Sequence, residues 1–564
     1  MKKKLLCLFM ALVLALATLL TGCITIVVPT DPAESAEPGK TTEVQPTEPT
    51  KTEAPTQKPT DNPTEPSIPE QTTVAPTETE PPFTPPVAKS LEAVPVIVGS
   101  HVKNDWHSDI RRNKYWVEWP QFTVLGQDRP VFAEAIEKWN ISADKSGLKK
   151  YNDNIEDARK SFSPAMNNWE DRTDASVQRA DEKIFSVLLE STSYHGGVHP
   201  GTLYSQLNMD PETGKMLGLS DVVQNQDGFI EKAVSLLNEQ NKENGNPFWD
   251  KYEETFRGLL QKKLSDNDAA GIAWVLLPDH LRLIVDEYVL AAYSYGPVNV
   301  EVPFYENETL FLKKDYYAAV NGTFKPFASD GKGGFQIALF YEEPFGDYLV
   351  NVIDYPGDYY GEYEIWCGER VVRKSRGLGL SHAWLLTRGD QQFAIIQCSY
   401  ENGYEETHVY GVGREKLEEV GTYYGAVIPV VNDPDRLLWE DRGDMLGTWT
   451  GYAKLTVTDA GQLEYDDTYL LYNKDDGFNE IAKRTLTTKR EVKALSVEDP
   501  KKEIRIPKGA ALVPYETDFK TFMDVILSDG TFARIPVVRD KSSYSFLIDG
   551  VNEYDVFDGI TYFG

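Results

Sequence analysis

From about Pro29 to Pro86 the chain is built almost wholly of proline, threonine and glutamate, as in "PTEPTKTEAPTQKPTDNPTEPSIPEQTTVAPTETEPP". This stretch most constrains the fold. It has almost no apolar side chains to bury, so nothing offsets the entropy lost on ordering it. Frequent proline favours extended polyproline II at roughly 3.1 Å per residue, a reach on the order of 150 Å. Residues 23–90 are therefore expected to be a stiff, unfolded linker, and any folded part must lie from about residue 91 onward.

What precedes the linker explains why one is needed. "MKKK" is a positively charged start, "LLCLFMALVLALATLL" an apolar run, and "TGC" follows at once. Residues 1–22 read as a secretory signal peptide and do not belong to the fold. Leu20-Thr21-Gly22-Cys23 resembles the lipobox of bacterial lipoproteins, in which an aliphatic and two small residues precede a cysteine. The resemblance implies cleavage after Gly22 and a diacylglycerol on the Cys23 thiol. The small residues give a peptidase access, and the thiol is the one good nucleophile there. The expected location is the outer face of the membrane of a Gram-positive-type bacterium. The membrane partner is met through the lipid, and the linker carries the folded part into or beyond the wall.

A formal net charge of −31 with no basic cluster beyond the first four residues excludes nucleic acid as a partner. After the anchor, Cys367 and Cys398 are the remaining thiols outside the leader. Outside the cell they can pair as a disulfide. Both lie in strand-like runs, "EYEIWCGER" and "FAIIQCSYE", and the alternative is two separate buried thiols.

Three folded modules are expected. In residues 91–320, "NKYWVEWPQFTVLG" alternates like a strand, while "RPVFAEAIEKWN" and "LKKYNDNIEDARKSF" have helical apolar spacing. "EKIFSVLLESTSY" and "LYSQLNMD" read as strands, and Pro211-Glu212-Thr213-Gly214 as a turn needing positive φ at Gly214. "DGFIEKAVSLLNEQN" and "FWDKYEETFRGLLQKKL" are amphipathic helices. "GIAWVLL", "LRLIVDEY" and "GPVNVEVPF" are strands, the last with Val298, Val300 and Val302 on one face. The expected class is α+β: an antiparallel sheet with helices on one side, followed by β-rich modules at 321–440 and 441–564. In the last module Asp529-Gly530 is a two-residue hairpin signal.

"HGGVHPGTLYSQLNMDPETGKMLGLSDVV" and "LRLIVDEYVLAAYSYGPVNVEVPF" together resemble a bacterial extracytoplasmic domain of unknown function. It is found in the RsiV anti-sigma factor and beside the deacetylase domain of PdaC. The Gly-Gly-x-His-Pro loop at Gly196–Pro200, the turn "DPETGK" and the segment Ala292–Pro297 carry the resemblance, over roughly residues 114–305. It implies a wall-proximal binding domain whose ligand in RsiV is lysozyme. An anti-sigma role does not follow, because no cytoplasmic segment precedes the anchor, and no deacetylase domain follows the match.

His195 and His199 have the i, i+4 spacing of a helical zinc motif, but Gly196, Gly197 and Pro200 forbid the helix it needs. No third ligand has a recognisable spacing, and no metal or other cofactor is expected. The segment reads as a turn between strands. As a ligand-contact loop it offers Tyr194, His195, Gly196, Gly197, His199 and Tyr204. A second candidate is the tyrosine-rich run "YEEPFGDYLVNVIDYPGDYYGEYEIW". There Tyr355, Tyr359, Tyr360 and Tyr363 lie among carboxylates, as a glycan-binding face requires. "GLSHA" at Gly379–Ala383 lacks the helix and second glycine of a nucleophile elbow. Arg388-Gly389-Asp390 falls where a hairpin turn is needed. Paired carboxylates for glycoside hydrolysis are not singled out by any spacing. The function expected is a non-catalytic envelope binding or sensing protein, with peptidoglycan or a lysozyme-like protein as ligand. The alternatives are a wall-modifying hydrolase and a structural envelope component.

Overall fold

The computed structural model describes residues 91–564, apart from 108–111, 127–128, 162–168, 306, 312–315, 319–321, 330–333, 340–347, 356–359, 415, 432, 473–483, 544 and 563–564. The expected signal peptide, Cys23 and the expected linker lie outside the described residues, as does Tyr359.

The alternating run around Tyr115 forms β2 (Arg112–Val124), which pairs antiparallel with β1 (Val96–His107). A single helix, α1 (Pro130–Ser161), follows where two were expected. Its buried stripe is Phe132, Ile136, Asn140, Gly147, Tyr151, Ile155 and Ala158. The middle of that stripe is not apolar, which hides the continuity from a hydrophobicity reading. Asn140 mimics a strand: its Nδ2 donates to Phe122 O at 2.7 Å, and Phe122 N donates to its Oδ1 at 3.0 Å. Gly147 is there for closeness, since a Cβ would lie 2.3 Å from the Trp119 ring.

The helix returns the chain to β3 (Trp169–Ala180), which pairs parallel with β2, the pairing that a helical crossover permits. β4 (Phe185–Tyr194), β5 (Gly201–Asp210) and β6 (Lys215–Met216) complete a six-stranded sheet in sequence order. Gly214 takes φ +67° in the turn. Then come α2 (Gln226–Glu243), α3 (Tyr252–Ser265) and the sheet of β7 (Ile272–Leu276), β8 (His280–Val285) and β9 (Val298–Pro303). Val298, Val300 and Val302 are buried in one apolar cluster with Phe229, Leu237, Phe256 and Leu260 from the two helices.

Two five-stranded sheets follow. One runs β11 (Ala328–Ser329), β12 (Phe335–Leu339), β13 (Tyr348–Tyr355), β14 (Gly361–Cys367) and β15 (Arg370–Arg376). The other is β10 (Thr323–Pro326), β16 (Gly379–Arg388), β17 (Gln391–Ser399), β18 (Glu405–Gly413) and β19 (Lys416–Tyr424). The second sheet is covered on both faces. Ala394, Ile396 and Cys398 of β17 pack with Val350, Ile365 and Cys367 of the first sheet. Phe393 and Ile395 pack with Val427, Trp439 and Leu455 of the sheet beyond. That double burial is why "FAIIQC" is a continuous apolar run without alternation. The C-terminal sheet contains β20 (Ala426–Pro429), β21 (Leu437–Asp444), β22 (Thr448–Val457) and most of the strands after them, while Val538–Arg539, Phe546–Ile548 and Val551–Asn552 form a separate three-stranded sheet. The Asp529-Gly530 turn joins Phe522–Leu527 to Phe532–Pro536, with Gly530 at φ +83°. Leu527 N donates to Thr531 O at 2.9 Å, so the loop is one residue longer than the two expected.

The expected α+β class does not describe the chain. Thirty-four strands and four α-helices are present among the described residues, and β-sheet runs from end to end. The first sheet is itself mixed rather than antiparallel. Helical stripes are the strongest periodic signals in the sequence and outweigh the many strands of two to seven residues.

One buried charge network joins distant parts. Arg179 Nε donates to Asp181 Oδ2 at 2.7 Å, and Arg436, 255 residues further on, reaches the same oxygen at 3.3 Å. Arg436 also pairs with Asp433 at 3.1 Å. Asp181 Oδ1 accepts from the backbone of Lys183 and Ile184, both at 2.9 Å, and Arg179 Nη1 donates to Leu277 O and Tyr316 O. The Arg179 and Asp181 side chains are fully buried. Two cations balance two anions, and the backbone takes up much of the rest. Removing one member strands its partner in low dielectric, which typically costs about 3–5 kcal/mol. Asp181→Ala is therefore expected to lower unfolding stability by about that amount in denaturant titration, whereas Asp174→Ala, which breaks an exposed pair with Arg172, costs less than about 1 kcal/mol.

Candidate functional site

The glycine-rich loop closes the hairpin between β4 and β5, whose last paired residues are Ser193 and Gly201. Gly196 and Gly197 adopt φ +91° and +131° with open space where a Cβ would be, so the turn needs their backbone freedom rather than a close approach. The two histidines diverge. His195 lies against Trp169 and Asp171 and His199 against Tyr288 and Tyr293, so the two rings have separate partners. Among the described residues no group of three His, Cys, Asp or Glu side chains is placed to hold a metal ion.

His195 belongs to a cluster around Asp171. The β3 register sets Asp171 opposite Ser193 on β4 and beside Val117 on β2. Its buried carboxylate accepts from Tyr115 OH at 2.5 Å, Ser193 Oγ at 2.5 Å and His195 Nε2 at 2.9 Å, and Lys150 lies 3.3 Å away. The His195 ring stacks on Trp169 at 4.5 Å. Burial alone would raise the Asp171 pKa. The donors from Ser193, Tyr115 and His195, with the charge of Lys150, overcome that and hold it below the usual carboxylate range. The same burial and the bond to Asp171 raise the Tyr115 hydroxyl. Ser193 and His195 both spend their hydrogen on the carboxylate, so serine does not donate to the ring as a nucleophile–base pair requires.

His199 is held in an aromatic stack at the surface. Its ring lies 4.1 Å from Tyr293 and 6.0 Å from Tyr288, nearly parallel to both. Its Nδ1 donates to Pro200 O at 2.8 Å, which leaves Nε2 to accept from Tyr288 OH at 3.0 Å. Tyr288 has φ +62°, a left-handed conformation that costs a residue with a Cβ roughly 1–2 kcal/mol. Val198, next to His199 on the loop, is 100% exposed, and Tyr288 in the stack is 49% exposed. Acidic groups border it. Tyr204 N donates to Asp286 Oδ1 at 2.8 Å. Burial, then Glu190, Glu287 and Asp286, push the Tyr204 hydroxyl up to about 12. Burial and Glu190 also raise Glu287. The loop was legible in the sequence, but Tyr288 and Tyr293 were not. The available signal was a run of tyrosines in "DEYVLAAYSYGP" that fits no strand alternation.

The tyrosine-rich candidates separate. Tyr355 OH donates to Glu364 at 3.0 Å, with Arg373 over its ring at 5.6 Å. Tyr360 is exposed. Tyr363 is fully buried and cannot face a ligand: its hydroxyl lies 2.5 Å from His408 Nδ1 and 2.7 Å from Tyr410 OH. Burial lowers the His408 pKa against the opposing pull of Glu406, to which Nε2 donates at 2.5 Å. Cys367 and Cys398 are not paired. They are buried free thiols on facing sheets rather than adjacent strands, and Cys367 Sγ donates to Gly413 O at 3.3 Å. Arg388-Gly389-Asp390 is the β16–β17 turn, with the arginine turned in to Val457 O and Asp435. Ser381 of "GLSHA" lies within a strand and donates to Glu405 at 3.1 Å.

A carboxylate with a lowered folded pKa stabilises the fold above its unfolded pKa of about 3.9, and that stability is lost as pH falls through the folded value. Asp171→Asn should therefore cost about 2 kcal/mol at neutral pH. In denaturant titrations across pH the deficit should shrink below about pH 4 as the wild-type carboxylate protonates.

No family model matches the chain, and no curated protein matches it. Solved structures that resemble part of it are DUF3298 family proteins, members of a family of unknown function. One from Pseudomonas aeruginosa PAO1 shares 17% identity, with 40% of this chain and 98% of that one covered at a TM-score of 0.29. One from Bacteroides fragilis NCTC 9343 shares 13% identity, with 40% and 96% covered at a TM-score of 0.28.

Proposed function

We propose that the protein is a non-catalytic binding or sensing lipoprotein of the bacterial envelope, anchored through Cys23 to the outer face of the membrane and related to the RsiV and PdaC extracytoplasmic domain. Its ligand is peptidoglycan or a lysozyme-like protein. The observation that carries this reading is the surface patch beside the β4–β5 hairpin. Val198 on the loop and Tyr288 in the His199–Tyr293 stack are exposed there, with Glu190, Asp286 and Glu287 nearby. An aromatic centre with an acidic border suits a basic protein surface: the rings supply contact area and the carboxylates steer the encounter. The net charge of −31 adds long-range attraction for such a partner. The His195 cluster is read as supporting the loop from behind rather than acting on a ligand, because Tyr115, Ser193 and His195 each direct a hydrogen bond to Asp171.

The full chain, immobilised and offered lysozyme and peptidoglycan fragments at low and high salt, should capture lysozyme in a salt-sensitive manner. Tyr288→Ala and Val198→Asp should each weaken capture about tenfold or more, equivalent to 1.4 kcal/mol, with no change in the thermal unfolding midpoint. Capture of glycan alone would move the site away from this patch. Release of sugars or peptides from the peptidoglycan would replace the reading with a wall hydrolase, and a co-purifying partner with no small ligand would replace it with a structural role.

A further inference from the structure

The second feature built like a binding site lies far along the chain, where β18 and β19 meet β20–β22. A cavity of about 370 Å³ opens there, within the size range of small-ligand pockets. Its walls include Tyr360, Tyr400, Tyr404 and Tyr424. Tyr424 is 77% exposed, so its ring is offered to solvent rather than packed. The floor is fixed by Gly425, at φ +136°, where a Cβ would lie 2.4 Å from the Trp439 ring. Gly425 N donates to Glu405 O at 2.8 Å, and Thr407 Oγ1 donates to Gly425 O at 2.8 Å, so the rim is tied to β18 by hydrogen bonds.

Charge decides what this cavity takes. Glu401, Glu405, Glu406, Glu440 and Asp441 line it, and the one cation among the lining residues is Arg442. That guanidinium sits 5.0 Å from the Tyr404 ring centre, so one wall already shows the contact a bound cation would make. Other acceptors are positioned by the frame: Ser399 and Ser381 donate to Glu405 at 3.0 and 3.1 Å, and Tyr400 donates to Glu406 at 3.1 Å. Burial raises the pKa of Glu405 and of Asp441, and the charge of Glu440 adds to both. We propose that this tyrosine-walled cavity is a binding site for a primary ammonium group, held between aromatic faces and the carboxylates of Glu405, Glu440 and Asp441. An ammonium ion offsets that charge and offers its three donors to the carboxylates, while a neutral amide does neither. A free amino sugar and an aliphatic amine both present the group. The proposal is independent of the hairpin patch and stands or falls without it.

Calorimetric titration of the full chain with glucosamine, N-acetylglucosamine and Nα-acetyl-lysine amide tests it. At least one amine probe should bind, and N-acetylglucosamine should bind tenfold more weakly or not at all. Glu440→Gln and Tyr424→Ala should each weaken the amine about tenfold. Binding of glucosamine alone assigns an amino sugar, of the lysine amide alone an aliphatic amine, and of both the ammonium group itself. The proposal is overturned if neither amine binds, if N-acetylglucosamine binds as well as glucosamine, or if both variants bind like the wild type.

Discussion

The structure depends on four charges that water does not reach. Arg179 and Asp181 leave the end of β3, and Arg436 and Asp433 come from the approach to β21. Each guanidinium would be untenable alone in that setting, and burial does lower the Arg179 pKa and raise that of Asp433. Together they are neutral, and Leu277 O, Tyr316 O and the amides of Lys183 and Ile184 absorb much of their remaining hydrogen-bonding capacity. Such a network is weak evidence for stability as such, since apolar groups of equal shape often do as well. Its consequence is placement. The six-stranded sheet, the β7–β9 sheet and the C-terminal sheet have one geometry in which all four charges are matched.

Apolar packing follows the same join. Val430, Val431, Leu438 and Tyr452 lie in one cluster with Phe122, Phe132, Phe185 and Val187, so the first sheet and the last sheet share a core. The β16–β19 sheet is buried on both faces and transmits the packing to its two neighbours. The hairpin patch stands at one side of this framework and the tyrosine-walled cavity at another. Both use loops fixed by the sheets behind them: Asp171 gathers donors beneath the His195 turn, and Gly425 lets the cavity floor close over Trp439. Loops held in this way can present side chains without ordering them on binding, which preserves affinity.

The sequence made some of this legible and hid the rest for identifiable reasons. Strands with a clean period, such as Val298–Val302, and helices with an apolar stripe, such as α2, were readable because local spacing alone decides them. The long α1 was split because Asn140 and Gly147 fill buried positions for reasons specific to Phe122 and Trp119. The class was misjudged because short strands leave little trace, and the doubly buried β17 shows no alternation. The hairpin loop at Gly196 and Gly197 was readable from turn chemistry, but its companions Tyr288 and Tyr293 come from a segment about ninety residues away, and no local rule connects them. Tyr363 looked like its neighbours in composition; only the facing sheet, with His408 and Tyr410, shows that it points inward.

The central claim is that the first and last sheets are one folding unit held by a shared core and the Arg179–Asp181–Arg436–Asp433 network. Scanning calorimetry of the full chain tests this most directly. A single transition involving both sheets, with calorimetric and van't Hoff enthalpies in agreement, is the predicted result. Two separated transitions, one assigned to the six-stranded sheet and one to the C-terminal sheet, would contradict it.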